Sequence, residues 1–210
     1  DTQNLKGRSV DSTSTGKIVS TETVQVLSEA QAVALIKQTD PGYKGSPGSL
    51  LTQTFSYTMS DTGGKTTNVF GRLYMPNDGR LSNLPVFAFA PGTTGIDDQC
   101  AASLEKPAQR NWANYPSLLA AYAAQGYAVV TPDYEGMRDP TRMHHYTVGE
   151  LEGRALLDGV RSLQGLPASK GKVDTSRIFL AGYSQGGHAA LWADRIATKY
   201  TPELTVKGVV

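Results

Sequence analysis

One pentapeptide, Gly182-Tyr183-Ser184-Gln185-Gly186, carries more information than any other part of this sequence because it has the form G-x-S-x-G. The apolar residues Ile178-Phe179-Leu180-Ala181 lead into it and are typical of a short buried strand. Apolar residues then recur at helical spacing from Gly187 to Tyr200. A serine on a sharp turn between a strand and a helix exposes its hydroxyl at the end of a sheet. The context therefore predicts a nucleophile at Ser184 rather than an incidental serine in a glycine-rich helix cap.

The same turn predicts a site for a negatively charged oxygen. Gln185 follows the serine at the start of the predicted helix, where the backbone N–H groups have no partner within the helix and the helix dipole is positive. An N–H in that position stabilises the oxyanion that forms when a carbonyl is attacked. A second donor is expected from the loop after the apolar run Pro85–Ala90. We assign it to the N–H of Thr93, within Pro91-Gly92-Thr93-Thr94-Gly95, although an ordinary turn is the alternative for this loop.

The order of the predicted elements indicates an α/β fold. A hairpin signature over residues 55–75, turning at Asp61-Thr62-Gly63-Gly64, is followed by alternating strands and helices at Pro85–Ala90, Tyr115–Ala124, Tyr127–Thr131, Gly149–Leu163 and Ile178–Ala181. This alternation predicts right-handed crossovers and a mostly parallel sheet with helices on both faces. We expect a polar N-terminal arm over residues 1–16 and part of a single α/β domain over residues 17–210.

Composition excludes several functional classes. A net charge of +1 gives no reason to expect a nucleic-acid partner, and no apolar run is long enough to span a bilayer. His144, His145 and His188 have none of the spacings of a zinc site, and no phosphate-loop or dinucleotide motif is present, so we expect neither a metal nor a cofactor. The single cysteine rules out an internal disulfide. The polar start at Asp1 suits a mature N-terminus, which favours a secreted or periplasmic protein.

A serine nucleophile of this kind needs an acid and a histidine, which follow it along the chain in that order. Only 26 residues follow Ser184, and no histidine comes after His188, which lies one helical turn further along. A substitute triad, with Asp133 or Glu135 orienting one of the loop histidines at 144 and 145, is an alternative that loop placement alone does not establish. We therefore expect a missing C-terminal part or a companion polypeptide to supply the acid, the histidine and the remaining strands of the sheet.

Four blocks of the sequence, taken together, resemble the secreted lipase family, the lipase-A-like branch of the α/β-hydrolases. They are Ala90–Ala101, Pro132–Gly136, Tyr146–Glu150 and Gly182–Ala190, and their order and spacing agree with that family. The resemblance implies the α/β-hydrolase fold and hydrolysis of a carboxylic ester or lipid through an acyl-enzyme. In these terms Ser184 is the nucleophile, and Gln185 and Thr93 are the oxyanion donors. It also implies that a helical lid, the catalytic acid and the catalytic histidine lie beyond Val210.

Two departures and two alternatives accompany this resemblance. Ala90-Pro91 stands where many relatives carry a histidine, and the absent C-terminal half predicts that this chain is inactive alone. A peptidase or amidase on the same fold is one alternative, because specificity lies in the lid and the pocket. A non-catalytic hydrolase-like subunit is the other. The segment Tyr146–Gly149 and the region of Trp112 are expected to border the acyl site.

Overall fold

The computed structural model describes residues 14–79, 81–105 and 114–210. Its eight strands are β1 (Ile18–Thr21), β2 (Gln25–Leu27), β3 (Leu50–Ser60), β4 (Thr66–Pro76), β5 (Leu84–Ala90), β6 (Ala128–Pro132), β7 (Val173–Gly182) and β8 (Val206–Val209). Its helices are α1 (Glu29–Ile36), α2 (Tyr115–Ala124), α3 (Gly149–Ser162) and α4 (Gln185–Tyr200), with short 3₁₀ turns at Asp98–Cys100 and Ala102–Leu104. The predicted region of Trp112 lies outside the described residues.

All eight strands belong to one sheet, which is mixed. Its order is β1-β3-β4-β6-β5-β7-β8, and β2 also pairs with β3. The predicted hairpin is β3 and β4, which pair antiparallel from Leu50 opposite Pro76 to Ser60 opposite Thr66. The predicted parallel arrangement holds for β5, β6, β7 and β8, whereas β1 to β4 pair antiparallel with their neighbours and β4 joins β6 antiparallel. The carboxyl ends of the parallel strands therefore meet at one edge.

Helices cover both faces of the sheet, as the continuous apolar strands predict. In β6, Ala128 and Val130 pack in the same core cluster as α3 and α4, while Val129 between them packs with α1 and α2. Alternate residues of a strand point to opposite faces, so a strand buried on both sides must be apolar throughout. α1 begins with a capping box, in which Gln31 N–H donates to Ser28 Oγ at 3.3 Å and Ser28 N–H donates to Gln31 Oε1 at 2.9 Å.

β7 begins before the predicted strand Ile178–Ala181, and the polar residues Asp174-Thr175-Ser176 lie inside it. Asp174 pairs with Pro85 and Ile178 pairs with the next residue of β5, so residues 175–177 bulge out of the ladder. The carboxylate of Asp174 stabilises this bulge by accepting hydrogen bonds from Ser176 N–H at 2.9 Å and Arg177 Nε at 2.6 Å. The polar residues do bend the chain, but they do not end the strand.

The described part of the predicted N-terminal arm is attached to the sheet. Gly16 N–H donates to the carbonyl of Thr58 at 2.7 Å, and the hydroxyl of Thr58 donates to the carbonyl of Ser14 at 2.9 Å. Thr15 is buried beside Arg161 of α3, with which its hydroxyl is hydrogen-bonded. Residues 1–13 lie outside the described part, and the division into residues 1–16 and 17–210 stays a prediction. Within the described ranges, no helix has both the length and the apolar character that crossing a membrane requires.

Candidate active site

Ser184 lies on a strained turn between β7 and α4. Its backbone has φ 54° and ψ −116°, a region that residues other than glycine rarely occupy. The residue is exposed, and its side chain does not cap α4 although it stands at the N-cap position. The geometry thus differs from that of an ordinary helix cap, in which the serine oxygen accepts a hydrogen bond from the first turn. An exposed hydroxyl on such a turn is available for chemistry.

The two glycines of the pentapeptide are required by close backbone packing. A Cβ on Gly182 would lie 2.0 Å from the carbonyl oxygen of Gly186. A Cβ on Gly186 would lie 1.8 Å from the carbonyl oxygen of Ala90, the last residue of β5. Both distances are far below van der Waals contact, so no side chain fits at either position. The G-x-S-x-G pattern therefore reflects the crossing of α4 over the ends of β5 and β7.

The loop after β5 touches this turn and is held by two tyrosines. Tyr183 N–H donates to the carbonyl of Ala90 at 3.4 Å, and Gly92 N–H donates to the hydroxyl of Tyr115 at 2.7 Å. The hydroxyl of Tyr134 donates to the carbonyl of Pro91 at 2.6 Å. Burial raises the pKa of both tyrosines, so these hydroxyls stay protonated and keep their hydrogen bonds at neutral pH. No motif in the sequence indicates this tyrosine pair.

These contacts bear on the two predicted oxyanion donors. Gln185 is the first residue of α4, so its N–H has no acceptor within the helix. Gly92 N–H is occupied by Tyr115, whereas the next amide, that of Thr93, has no hydrogen-bond partner among the described residues. Thr93 is exposed, and its hydroxyl lies 2.8 Å from that of Tyr146, within the segment expected to border the acyl site. The two predicted donors therefore belong to adjoining loops at the same edge of the sheet.

The three histidines are engaged in other contacts. His144 Nδ1 lies 2.9 Å from the carbonyl of Glu135, and His145 Nδ1 lies 2.5 Å from the carboxylate of the same residue. His188 Nδ1 lies 2.7 Å from Glu152 Oε2. Within the described part of the chain, no histidine ring is hydrogen-bonded to Ser184.

The substitute triad that the sequence left open therefore does not form among the described residues. Asp133 is buried and accepts a hydrogen bond from Ser103 N–H at 2.6 Å, and burial raises the pKa of its carboxyl group. Glu135 binds Arg142, whose Nε donates to its Oε1 at 2.6 Å, as well as His145. Both acids hold their loop in place and orient no base towards Ser184. In residues 14–79, 81–105 and 114–210, no cluster of three or more His, Cys, Asp or Glu side chains is arranged to bind a metal ion.

Glu152 of α3 is a site residue that the sequence motifs do not identify. It is buried, and its Oε1 accepts hydrogen bonds from Gln185 Nε2 at 2.7 Å and from Thr147 N–H at 3.0 Å, while Oε2 faces His188. The spacing contained a signal, because a glutamate three residues before Ala155 and four before Leu156 lies on the apolar face of the predicted helix.

α3 approaches α4 closely because two glycines of α3 face α4. A Cβ on Gly149 would lie 2.1 Å from Trp192 Nε1, and one on Gly153 would lie 2.8 Å from the backbone nitrogen of Ala193. Larger residues at either position would force the helices apart. The short interhelical distance is what allows Glu152 to reach the first turn of α4.

Solved structures share the fold of this chain. The rice cell wall degrading esterase LipA from Xanthomonas oryzae superimposes with a TM-score of 0.73 at 22% identity, over 92% of this chain and 49% of that one. Candida antarctica lipase A in its closed state gives a TM-score of 0.63 at 22% identity, over 92% of this chain and 41% of that one. The chain therefore has the α/β-hydrolase fold that the sequence predicts.

Sequence comparison finds related proteins. A family model described as secretory lipase matches residues 115–210. Lipase A of Moesziomyces aphidis is 37% identical over 120 residues, which cover 55% of this chain and 22% of that protein. The secreted triacylglycerol lipase LIP4 of Malassezia globosa is 30% identical over 160 residues, covering 73% of this chain and 32% of that protein. These matches support the resemblance to the secreted lipase family that the sequence predicts.

The chain spans between about a fifth and a third of these curated relatives and about half of the solved structures or less. Neither kind of comparison supports the separate companion polypeptide that the sequence suggested.

Proposed function

We propose that the protein is a serine carboxylic ester hydrolase of the lipase or esterase type. The observation that carries the proposal is the exposed Ser184 on a strained turn, directly before the first N–H of α4. In the proposed reaction the Ser184 oxygen forms a bond to the ester carbonyl carbon, and the alcohol leaves with a proton. Water then hydrolyses the acyl-enzyme and restores the hydroxyl.

The proposed oxyanion hole consists of two backbone N–H groups. Gln185 supplies one from the start of α4, where the helix dipole adds to the attraction for negative charge. Thr93 supplies the other, since the neighbouring amide of Gly92 is already bonded to Tyr115. The contact between the Thr93 and Tyr146 hydroxyls supports a position for the Tyr146 ring at the rim of the proposed acyl site.

The proposed base and its orienting acid belong to a part of the protein outside these 210 residues. The contacts of the three histidines support this proposal, because each ring is bound to an acidic residue or its carbonyl and none to Ser184 within the described ranges. A complete protein carrying this chain is therefore needed for turnover. By analogy with the secreted triacylglycerol lipase of Malassezia globosa, we propose lipid or other carboxylic esters as substrates and an extracellular location.

The test is a Ser184→Ala variant of the complete protein, with Ser176→Ala as the control. Ser176 is an exposed serine of β7, the strand that precedes the turn, and its hydroxyl donates to the carboxylate of Asp174. We expect Ser184→Ala to lower kcat for a soluble ester by about 10⁶-fold and to abolish labelling by a fluorophosphonate, whereas Ser176→Ala retains both. Near wild-type hydrolysis by Ser184→Ala would rule out this residue as the nucleophile.

A further inference from the structure

Resting on the proposed function, we infer that Glu152 is a positioning residue for the reaction. It holds the first turn of α4 so that the N–H of Gln185 faces the developing oxyanion. Glu152 itself does not touch the substrate in this scheme, and it acts through the residue that follows the nucleophile.

The first turn of α4 lacks the usual support. A helix that begins at a serine is normally stabilised by the serine oxygen, which accepts a hydrogen bond from the second or third N–H of the helix. Ser184 stands at the N-cap position of α4 but makes no such bond. Something else must fix the orientation of the first turn.

Glu152 provides that support from the neighbouring helix. Its two carboxylate oxygens bind Gln185 at 2.7 Å and His188 at 2.7 Å, which are the first and fourth residues of α4. The same carboxylate accepts the N–H of Thr147 at 3.0 Å, which adds the loop before α3 to the assembly. One buried acid of α3 therefore binds both the first turn of α4 and the loop before α3.

The contacts of this network are mutually consistent for a neutral His144 ring and an ionised Glu152. The backbone carbonyl of Glu135 can only accept a hydrogen bond from His144 Nδ1. The neutral ring therefore carries its proton on Nδ1, and its Nε2 is an acceptor. Gln185 Nε2 lies 2.9 Å from that nitrogen and 2.7 Å from Glu152 Oε1, so its two hydrogens satisfy both acceptors. The side chain of Gln185 is thus held on two sides, which restrains the backbone N–H of the same residue.

Glu152→Ala removes the support while leaving every proposed reacting group in place. A donor displaced by about 1 Å can cost about a hundredfold in rate, so we expect kcat of the complete protein to fall about 100-fold with KM for a soluble ester within about twofold of wild type. Gln185→Ala keeps the backbone N–H and removes only the side-chain link, and we expect a similar fall. Because both variants break the same link, the double variant should be no slower than the worse single one.

Glu152→Gln is the rescue variant. Its amide oxygen can still accept from Gln185 and Thr147, and its NH₂ group can donate to an unprotonated Nδ1 of His188, so we expect kcat within about tenfold of wild type. Asp158→Asn is the matched control, because this buried acid lies on the same helix but contacts the far end of α4 through Tyr200. We expect it to change the unfolding temperature and to leave kcat unchanged.

The outcomes separate this inference from the proposed function. If wild type hydrolyses esters and Ser184→Ala does not, while Glu152→Ala and Gln185→Ala keep the wild-type kcat and lose only thermal stability, then Glu152 has a purely structural role and the inference is wrong. If wild type neither hydrolyses esters nor reacts with the fluorophosphonate, the proposed function fails, and with it the reaction that Glu152 was to support. Should Glu152→Ala not fold, Glu152→Gln and Gln185→Ala still decide the question by their kcat.

Discussion

Asp158 should make the protein less stable as the pH rises through the weakly acidic range. This aspartate is fully buried in α3, with its Oδ1 2.7 Å from Arg161 Nη1 and its Oδ2 accepting the hydroxyl of Tyr200 at 2.5 Å. Loss of hydration on burial outweighs these two favourable partners and raises the pKa of Asp158 to about 6 from an ordinary value of 3.8. The folded state therefore holds the proton more tightly than the unfolded chain does.

The size and sign of the effect follow from that difference. Each pKa unit is worth about 1.4 kcal/mol, so the interval from 3.8 to about 6 corresponds to about 3 kcal/mol. Below the pKa that Asp158 has in the unfolded chain, the carboxyl group is protonated in both states. In that range it does not change the free energy of unfolding with pH. Between the two values only the folded state binds the proton, so the free energy of unfolding falls with rising pH, mostly between about pH 4 and pH 6. Above that range the whole cost of the buried charge is present.

Asp158→Asn isolates this contribution from that of the other carboxyl groups. The side chain at position 158 is then uncharged at every pH. The free energy of unfolding of the variant minus that of wild type should therefore increase by about 3 kcal/mol between about pH 4 and pH 7. Urea unfolding at several pH values measures it, and the difference corresponds to about 1 M or more in the midpoint. A difference that stays flat, or that decreases as the pH rises, would show that Arg161 and Tyr200 stabilise the charge more than burial opposes it.

Two further predictions concern the turn and the loop beside it. Gly186→Ala places a Cβ 1.8 Å from the carbonyl oxygen of Ala90, so we expect a loss of more than about 3 kcal/mol of stability and of ester hydrolysis. Gly187→Ala is the control, because its Cβ would lie 3.7 Å from its nearest neighbour, and equal unfolding temperatures for the two variants would contradict the packing argument. Tyr134→Phe leaves the carbonyl of Pro91 without its donor, which should cost about 1–3 kcal/mol in urea unfolding and lower kcat more than it changes KM. Wild-type stability and kcat in this variant would show that the loop is held by other contacts.

Local signals in the sequence predict most of the elements that position the site. α2 begins and ends where expected, because Pro116 stands in its first turn and Gly126 follows its end. The apolar run of β5 and the pentapeptide at the start of α4 likewise depend on neighbours within a few residues. Such features can be predicted because the physical cause and the residue lie in the same segment.

The polar contacts around the site could not be predicted in the same way. Glu152 meets residues more than 30 positions further along the chain, and Tyr134 reaches Pro91 across 43 positions. Whether such side chains meet depends on the distance between packed elements, which in the first case is set by the glycines of α3. A buried glutamate on an apolar helix face indicates that a partner exists, but the sequence does not say which residue it is.

The orientation of Ser184 is therefore a property of the packed helices rather than of the pentapeptide. A non-glycine residue in such a backbone conformation costs on the order of 1–3 kcal/mol and persists only where its surroundings leave no alternative. The turn could relax by shifting the first turn of α4, but Glu152 binds that turn from one side and the carbonyl of Ala90 blocks it from another. A G-x-S-x-G pattern without such a neighbour would lack the force that keeps the serine exposed, which is why the pattern alone is weak evidence for a nucleophile.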